Sequence, residues 1–554
     1  MITINLLKGI EMSAIRNTKY CLVIVLTGVI ISCGQNNQQA SYPLGAELHV
    51  LSEDTRSQKY MEVLKTLTFQ DLEEEWKRVA TPDNYISFRE KHGGIENILA
   101  NPPLKEAYEA RKIIADDFVI LMLKAFTKLD REPTFTNEEV EEFLLATTKH
   151  VADIQNLNEV SIEYVMPVSG AEKQWPGFRG PTGQGIAQKK KFPLKWNETE
   201  NIRWKAELPG RGTSSPVVWN KRVFITSASE DGKTRLLYCF NRSDGELLWK
   251  REAPTPQNIE KLYWKNTYAT TTPITDGERV IAFFGNSGFI CCDMNGDLEW
   301  SQNIGEFITT HGPGTNMVMY KDKIILIQDQ INSESVYVAI NKYNGDILWR
   351  QKRDQAYCWA SPVIVRIDDH DELIYNGSHK VVGYNPDTGE EIWSLNGPSK
   401  EAVPMIVTGG GLIFSQSGRN GPIIAIRPGG KGDVTGSHLF WKNSIGGPHV
   451  PSPVYFQDRL YVINDTGVLS CFDALSGKVI WKERLEGRFS ASPVLSDNKI
   501  MVTNEEGLTS IFKAGDNFEL IAENDLKEET LASLAVLGEQ IFIRTAKHLY
   551  CIAK

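Results

Sequence analysis

The chain has few histidines and few cysteines, nine and eight in 554 residues. It also has none of the short motifs that announce a familiar enzyme. HExxH, CxxC, GxSxG and GxGxxG are all absent, so a zincin helix, a dithiol redox pair, a hydrolase nucleophile elbow and a dinucleotide turn are not readable here. Gly232-Lys233-Thr234 resembles the end of a phosphate loop, but position 227 is Ser rather than Gly, and the stretch reads as a hairpin. Basic excess is missing too. Sixty Lys and Arg against seventy Asp and Glu give a net charge of -10 and a pI near 5.6. Phosphate backbones bind clustered cations, so nucleic acid is not an expected partner.

Long apolar runs are also scarce. Residues 20–31, YCLVIVLTGVII, would extend about 18 Å as a helix, short of the ~30 Å hydrocarbon core. With Arg16 and Lys19 ahead of it, the run has the plan of a secretion signal. Ile30-Ile31-Ser32-Cys33-Gly34 follows and looks like a bacterial lipobox, which implies a signal peptide at 1–32 and lipidation of Cys33. The polar residues 33–44 then read as a tether. Met12 is an alternative start, since residues 1–11 add nothing that a signal needs.

Residues 45–165 carry helical signals. Thr136 with Glu139 makes a capping-box pattern ahead of Val140, Phe143, Leu144, Val151 and Ile154, which share a face. Residues 118–123, FVILML, are apolar nearly all round and need burial from several sides. The expectation is a small α-helical domain, whose one further feature is a KHGG loop with His92.

From about residue 170 the texture changes to short β-type runs between Gly, Asp and Asn turns. A turn-plus-tryptophan motif ends at Trp249 (SDGELLW), Trp300, Trp349, Trp393, Trp441 and Trp481, with a degenerate copy ending at Ile521. Including Trp204, the intervals run from 40 to 51 residues, the length of one four-stranded propeller blade. The front of each unit repeats as well: SSPVV, TTPIT, ASPVI, AVPMI, PSPVY and ASPVL. Proline cannot donate to a ladder, so it fits the start of an innermost strand. Residues 522–554 hold three strands and lack a fourth, while the strand around Trp204 has no blade of its own. Pairing them closes an eight-bladed β-propeller of four-stranded blades over residues 170–554, with no free sheet edge at the closing seam. The tryptophans then fill the wedges between blades and need no ligand to explain them.

This pattern, D-x-x-[TS]-G-x-x-x-W on eight blades, resembles the PQQ-like propeller repeat shared by quinoprotein dehydrogenases and BamB-like proteins. WPGFRGPTGQG at 175–185, RPGGKGDVT at 427–435 and the carboxyl-terminal sequence resemble a bacterial envelope lipoprotein subgroup of that family. The helical segment is a departure from the BamB pattern. In the enzyme branch the resemblance implies a quinone stacked on a tryptophan and on a disulfide between adjacent cysteines, with Ca²⁺ held by carboxylate and amide oxygens.

Adjacent cysteines exist, Cys291 and Cys292, but in GFICCDMNGDLEW they fall on a third strand, where successive side chains point to opposite faces. Cys239, Cys471 and Cys551 occupy the same strand position in other blades. Facing sheets lie about 10 Å apart and a disulfide needs Cα atoms within about 7 Å, so these should be free, buried thiols. Cys358 falls at a channel mouth without an evident partner. The acidic stretch RIDDHDE, 366–372, reads as a solvated hairpin tip.

Loops leading into the innermost strands converge at one end of the channel and bring Arg211, Tyr268, His311, Tyr357, Trp359, Glu401, His449, Arg488 and Glu529 to it. Arg211, His311, Trp359, His449 and Arg488 are the candidate ligand-binding residues. No metal ligands or catalytic residues are expected. The leading expectation is a lipid-anchored, non-catalytic propeller that binds envelope proteins in the periplasm or at the outer membrane, as BamB-like proteins in outer-membrane protein assembly do. The alternative is a PQQ-dependent quinoprotein dehydrogenase with calcium, or a carbohydrate-active enzyme, using the channel mouth; no cofactor is expected under the first reading. Replacing Cys33 by Ala should release the protein from membranes or leave an uncleaved precursor, as fractionation and mass analysis would show; unchanged processing and partition would refute the lipid anchor.

Overall fold

The computed structural model describes residues 160–554 apart from 309–310, 331–333 and 357, together with Lys91, Ile98, Ala100 and Lys105. The leader, Cys33, the tether, the helical expectation for residues 45–159 and Tyr357 lie outside the described residues.

Val160–Lys554 forms one compact unit built of eight antiparallel sheets. Blade 1 runs from Val217–Trp219 to Leu247–Glu252, blade 2 from Ile274–Thr275 to Leu298–Gln302, blade 3 from Val318–Tyr320 to Ile347–Arg353, and blade 4 from Val363–Ile367 to Glu391–Asn396. Blade 5 runs from Val407–Gly409 to Leu439–Asn443, blade 6 from Val454–Phe456 to Val479–Arg484, and blade 7 from Val494–Ser496 to Leu520–Asp525. Blade 8 joins Ala535–Leu537, Gln540–Arg544 and His548–Ile552 to Ile202–Glu207 from the other end of the unit, with Trp204 opposite Cys551. The ring closes as the repeat count predicts.

Second strands such as Lys323–Gln328 are buried on both faces because a neighbouring blade covers each. They read as continuous apolar runs for that reason. The core is a series of wedges: Ile281 and Phe283 of blade 2 share a cluster with Ile324 and Leu326 of blade 3. Five of the eight wedges are locked by a tryptophan of the outermost strand. Trp249 Nε1 donates to the Met294 carbonyl of the next blade at 3.0 Å, and Trp300, Trp441, Trp481 and Trp204 make the equivalent bond. The turn glycine of the next blade lies on the ring. A Cβ at Gly296, where φ is +91°, would stand 2.6 Å from Trp249, so both the left-handed backbone and the contact exclude a side chain there.

The residue paired with each tryptophan is small: Cys239 with Trp249, Cys291 with Trp300, Cys471 with Trp481, Cys551 with Trp204, Ala339 with Trp349 and Ala425 with Trp441. The recurring cysteine is thus space for an indole. All six described cysteines are free and buried, and burial pushes Cys239, Cys471 and Cys551 up to about 12.

Blade 4 departs from four strands. Ile162–Tyr164, inside the stretch assigned above to the helical domain, pairs with Val363–Ile367 on its channel side. Gly432–Asp433 pairs in parallel with its outer strand. RPGGKGDVT therefore has a structural use: it lengthens the last connection of blade 5 so that Val434 seals the Trp393 cluster. Trp393 is itself fully buried and donates to Glu372 at 2.7 Å. That corrects the reading of RIDDHDE as a solvated tip. Arg366 and Asp371 pair near the surface, but Glu372 belongs to the core.

Around the channel, the start of each innermost strand is tied to the next blade. The Ser215 amide donates to Thr272 Oγ1, Thr272 to Asn316 Oδ1 and Asn316 to Ser361 Oγ, at 2.7–3.0 Å. The amides of Met405, Ser452 and Ser492 donate to the hydroxyls of Ser452, Ser492 and Ser533, each at 2.9 Å. Two seams use another device. From blade 4, Asn376 Nδ2 donates to the Pro404 and Gln416 carbonyls. From blade 8, Arg544 Nη1 donates to Ser214 Oγ and the Thr226 carbonyl of blade 1.

Two outcomes follow. Ser492→Ala strands a buried amide and should cost about 1–3 kcal/mol in denaturant unfolding; an unchanged midpoint would show that the hydroxyl tie is dispensable. Native protein treated with a maleimide should leave all six described cysteines unmodified until denaturant is added, as peptide mapping would record.

Candidate functional site

The channel has two differently built ends. At the end where innermost strands turn outward, WPGFRGPTGQG folds into the ring. Trp175 exchanges backbone hydrogen bonds with Val218 of blade 1, and the Pro176 carbonyl accepts from Thr275 of blade 2. Gln184 Oε1 accepts from the Thr408 amide of blade 5, and Gly185 and Ala187 bracket Leu495 of blade 7. Arg179 is wholly buried and spends its guanidinium on carbonyls: Gly183 and Gln184 of its own loop, Ser452 and Pro453 of blade 6, and Pro493 of blade 7. No carboxylate among the described residues pairs with it, and burial lowers it to about 9. Only saturation by carbonyl dipoles makes such a cation tolerable. This segment is a plug held by at least five blades.

At the other end, residues 253–273 form an arm between blades 1 and 2. Glu260, buried completely, grips Arg235 in a two-pronged pair at 2.8 and 2.7 Å. Asn266 Nδ2 donates to the carbonyls of His311 and Pro313. Lys265 Nζ then meets Glu505 Oε1 of blade 7 at 2.6 Å, so the arm reaches across the mouth. Its Tyr263 ring lies 5.4 Å from His311, which stands edge-on to Trp359 at 5.1 Å.

Of the residues expected at the mouth, the structure brings together two groups. His311 and Trp359 pack with Tyr263. Glu401 takes a 2.6 Å bond from Arg419 and lies 3.4 Å from His449 Nε2. Burial would raise the Glu401 carboxyl, but Arg419 and His449 hold it below the ordinary carboxylate range. Arg211, Arg488 and Glu529 are exposed, separate points on the rim whose backbones pair with Ala228, Glu505 and Ala546. Tyr268 supports the arm from beneath, with the Arg235 guanidinium 4.8 Å from its ring centre. Cys358 is not at the mouth surface: it is 1% exposed and bridges to Ala402.

Sequence reading missed the arm residues Glu260, Tyr263, Trp264 and Lys265, and the plug residues Arg179 and Gln184. The 51-residue interval between Trp249 and Trp300, the longest in the ring, carried the arm's signal as extra length. Nothing in the plug's composition marked it as interior.

The chemistry implied for the enzyme branch can be tested against these residues. Cys291 and Cys292 stand on an unbroken strand, Phe289–Asp293, and enter different clusters on opposite faces of blade 2. A disulfide between them would require breaking that strand, so they do not make the quinone's cradle. Among the described residues no three His, Cys, Asp or Glu side chains gather as a metal-holding group.

A family model described as outer membrane protein assembly factor BamB matches residues 194–306, 233–419 and 423–517, more than half of the chain. The outer membrane protein assembly factor BamB of Alkalilimnicola ehrlichii is 26% identical over 159 residues, 28% of this chain and 36% of that protein. The chain thus matches about a third of that relative's length. Among solved structures, a europium-containing methanol dehydrogenase superposes with a TM-score of 0.53 at 10% identity, covering 69% of this chain and 99% of the other. The quinohemoprotein alcohol dehydrogenase of Comamonas testosteroni gives 0.51 at 10% identity, over 70% and 81%. Identities this low establish the fold alone. With the repeat, the closed ring of eight blades and the match over most of the ring in agreement, the chain belongs to the PQQ-like β-propeller repeat family whose model is described as outer membrane protein assembly factor BamB.

Proposed function

We propose that this propeller is a lipid-anchored, non-catalytic scaffold of the bacterial cell envelope, facing the periplasm or seated at the outer membrane, and that its partners are other envelope proteins, as the name of its relatives indicates. The observation that carries this reading is that the chain occupies its own channel. Plug and arm stand at the two ends where a substrate would enter, and Arg179, which could hold an anion, is already spent on five carbonyls.

What remains for partners is the outside of the ring. Leu247, Leu248, Leu298, Ile347, Leu348, Val479 and Leu520, on the outermost strands of five blades, are 41–47% exposed. Those strands end their sheets, and an edge with aliphatic side chains suits addition of a partner's strand. Among the described residues, only blade 4 has its outer strand covered by another strand, Gly432–Asp433.

Titration of the purified protein with PQQ and Ca²⁺, followed by tryptophan quenching, should show no saturable sub-micromolar site. A tight stoichiometric complex, weakened by Trp359→Ala or Arg488→Ala, would overturn the scaffold reading in favour of the dehydrogenase. Cross-linking in intact cells through a photoreactive residue at position 348 should trap envelope proteins, and a substitution at the buried position 338 should trap none.

A further inference from the structure

The rim at the arm end carries large apolar side chains in water. Trp264 is 71% exposed, Ile445 68%, Ile308 54%, Tyr263 44% and Ile259 37%. All five lie on connections that lead from the outermost strand of one blade to the innermost strand of the next, so topology places them at the same end of the ring. Three connections contribute, at the seams between blades 1 and 2, 2 and 3, and 5 and 6. In a ring of eight the first and last of these seams are opposite.

The exposure is built in. The arm behind Trp264 is fixed by the buried Arg235–Glu260 pair, by Asn266 on two carbonyls and by Lys265 on Glu505. Lys265 Nζ also stands 5.8 Å from the centre of the Trp264 ring, and the Tyr263 and Trp264 rings are 5.6 Å apart. The Ile308 amide is likewise held, by Gln330 Oε1 at 2.8 Å. The anchored arm therefore keeps Tyr263 and Trp264 in water, and the bonded Ile308 backbone does the same for its side chain, at the ordinary cost of wetting them.

The distribution decides what they meet. A protein hot spot is a contiguous patch ringed by polar side chains, sunk into a matching pocket. Here the apolar groups occupy two places on opposite sides of the rim, Ile259, Tyr263, Trp264 and Ile308 on two neighbouring, hydrogen-bonded connections and Ile445 on the far one, with Lys261 and Arg488 exposed at the same end. Tips rising from one flat end of a disc suit a surface that is flat, deformable and polar outside with apolar depth: a lipid bilayer. Tryptophan and tyrosine settle at the headgroup level, and lysine and arginine stems reach back to phosphates.

We propose that the arm end of the ring is a membrane-docking face, with Trp264, Ile308 and Ile445 entering the headgroup region of a phospholipid bilayer. This contact is distinct from the lipid anchor and from the partner-binding reading. It uses five side chains of the ring itself.

The test uses full-length protein carrying Cys33→Ala, so that no acyl chain contributes, and vesicles of mixed phosphatidylethanolamine and phosphatidylglycerol. Expected are co-sedimentation with the vesicles, a blue shift of tryptophan emission, and quenching by lipids brominated near the headgroup. Trp264→Ala, Ile308→Ser and Ile445→Ser together should lower vesicle affinity at least about tenfold, since each largely exposed side chain brings its own apolar area and every 1.4 kcal/mol is a factor of ten. The three positions are largely in water, so the variant should keep its melting temperature. Absence of vesicle binding, or binding that the triple variant retains, overturns the proposal. So does a triple variant that binds vesicles normally but loses a cross-linked envelope protein, which would assign the rim to a protein partner.

Discussion

The ring depends on a hydrogen bond that recurs from blade to blade: an amide at the head of one innermost strand given to a hydroxyl or amide oxygen at the head of the next. Heads of innermost strands converge on the axis, where the amides are buried and must find partners within the protein. Proline follows immediately in most units, which removes one donor from the ladder and leaves the preceding amide to be satisfied sideways. Serine and threonine are the residues that can accept there without filling the channel. The wedges of tryptophan and aliphatic side chains outside this girdle supply most of the buried area, but the girdle fixes how many blades meet and at what spacing.

Much of this was legible in the sequence. The tryptophan turns and proline strands recur at the length of a blade, and the unpaired strand at Trp204 requires closure with the last three strands. The equivalence of Cys239, Cys471 and Cys551 was visible as a position; its reason, room for an indole on the neighbouring strand, needed the register. What stayed hidden were contacts between segments far apart in the chain. Glu372 reads as one more acid in an acidic turn until Trp393 is found above it. Arg179 sits among glycines and prolines that look like a linker, and its five carbonyl partners come from residues 4 to 314 positions away. The mouth was legible as a list of loops, but not as two separate groups, because an arm from another loop enters between them.

A europium-containing methanol dehydrogenase and a quinohemoprotein alcohol dehydrogenase share the fold of this chain at 10% identity. Here the adjacent cysteines keep to a regular strand, and the chain's own plug and arm take the two ends of the axis. The blades are common architecture; the segments laid across their ends decide what the architecture can hold.

The two seams where the girdle changes chemistry, between blades 4 and 5 and between blades 8 and 1, face each other across the ring. On either side lies an uninterrupted run of four blades with three ties from a backbone amide to a side-chain oxygen. The propeller is therefore two runs of four blades joined along a diameter by side chains, Asn376 at one junction and Arg544 at the other, each making two bonds where the remaining seams use a backbone amide. The plug crosses that diameter: Trp175 and Pro176 are bonded in one half, and Gln184, Gly185 and Arg179 in the other. A segment that reads as a cork in a channel is also a strap that ties the two runs of blades together.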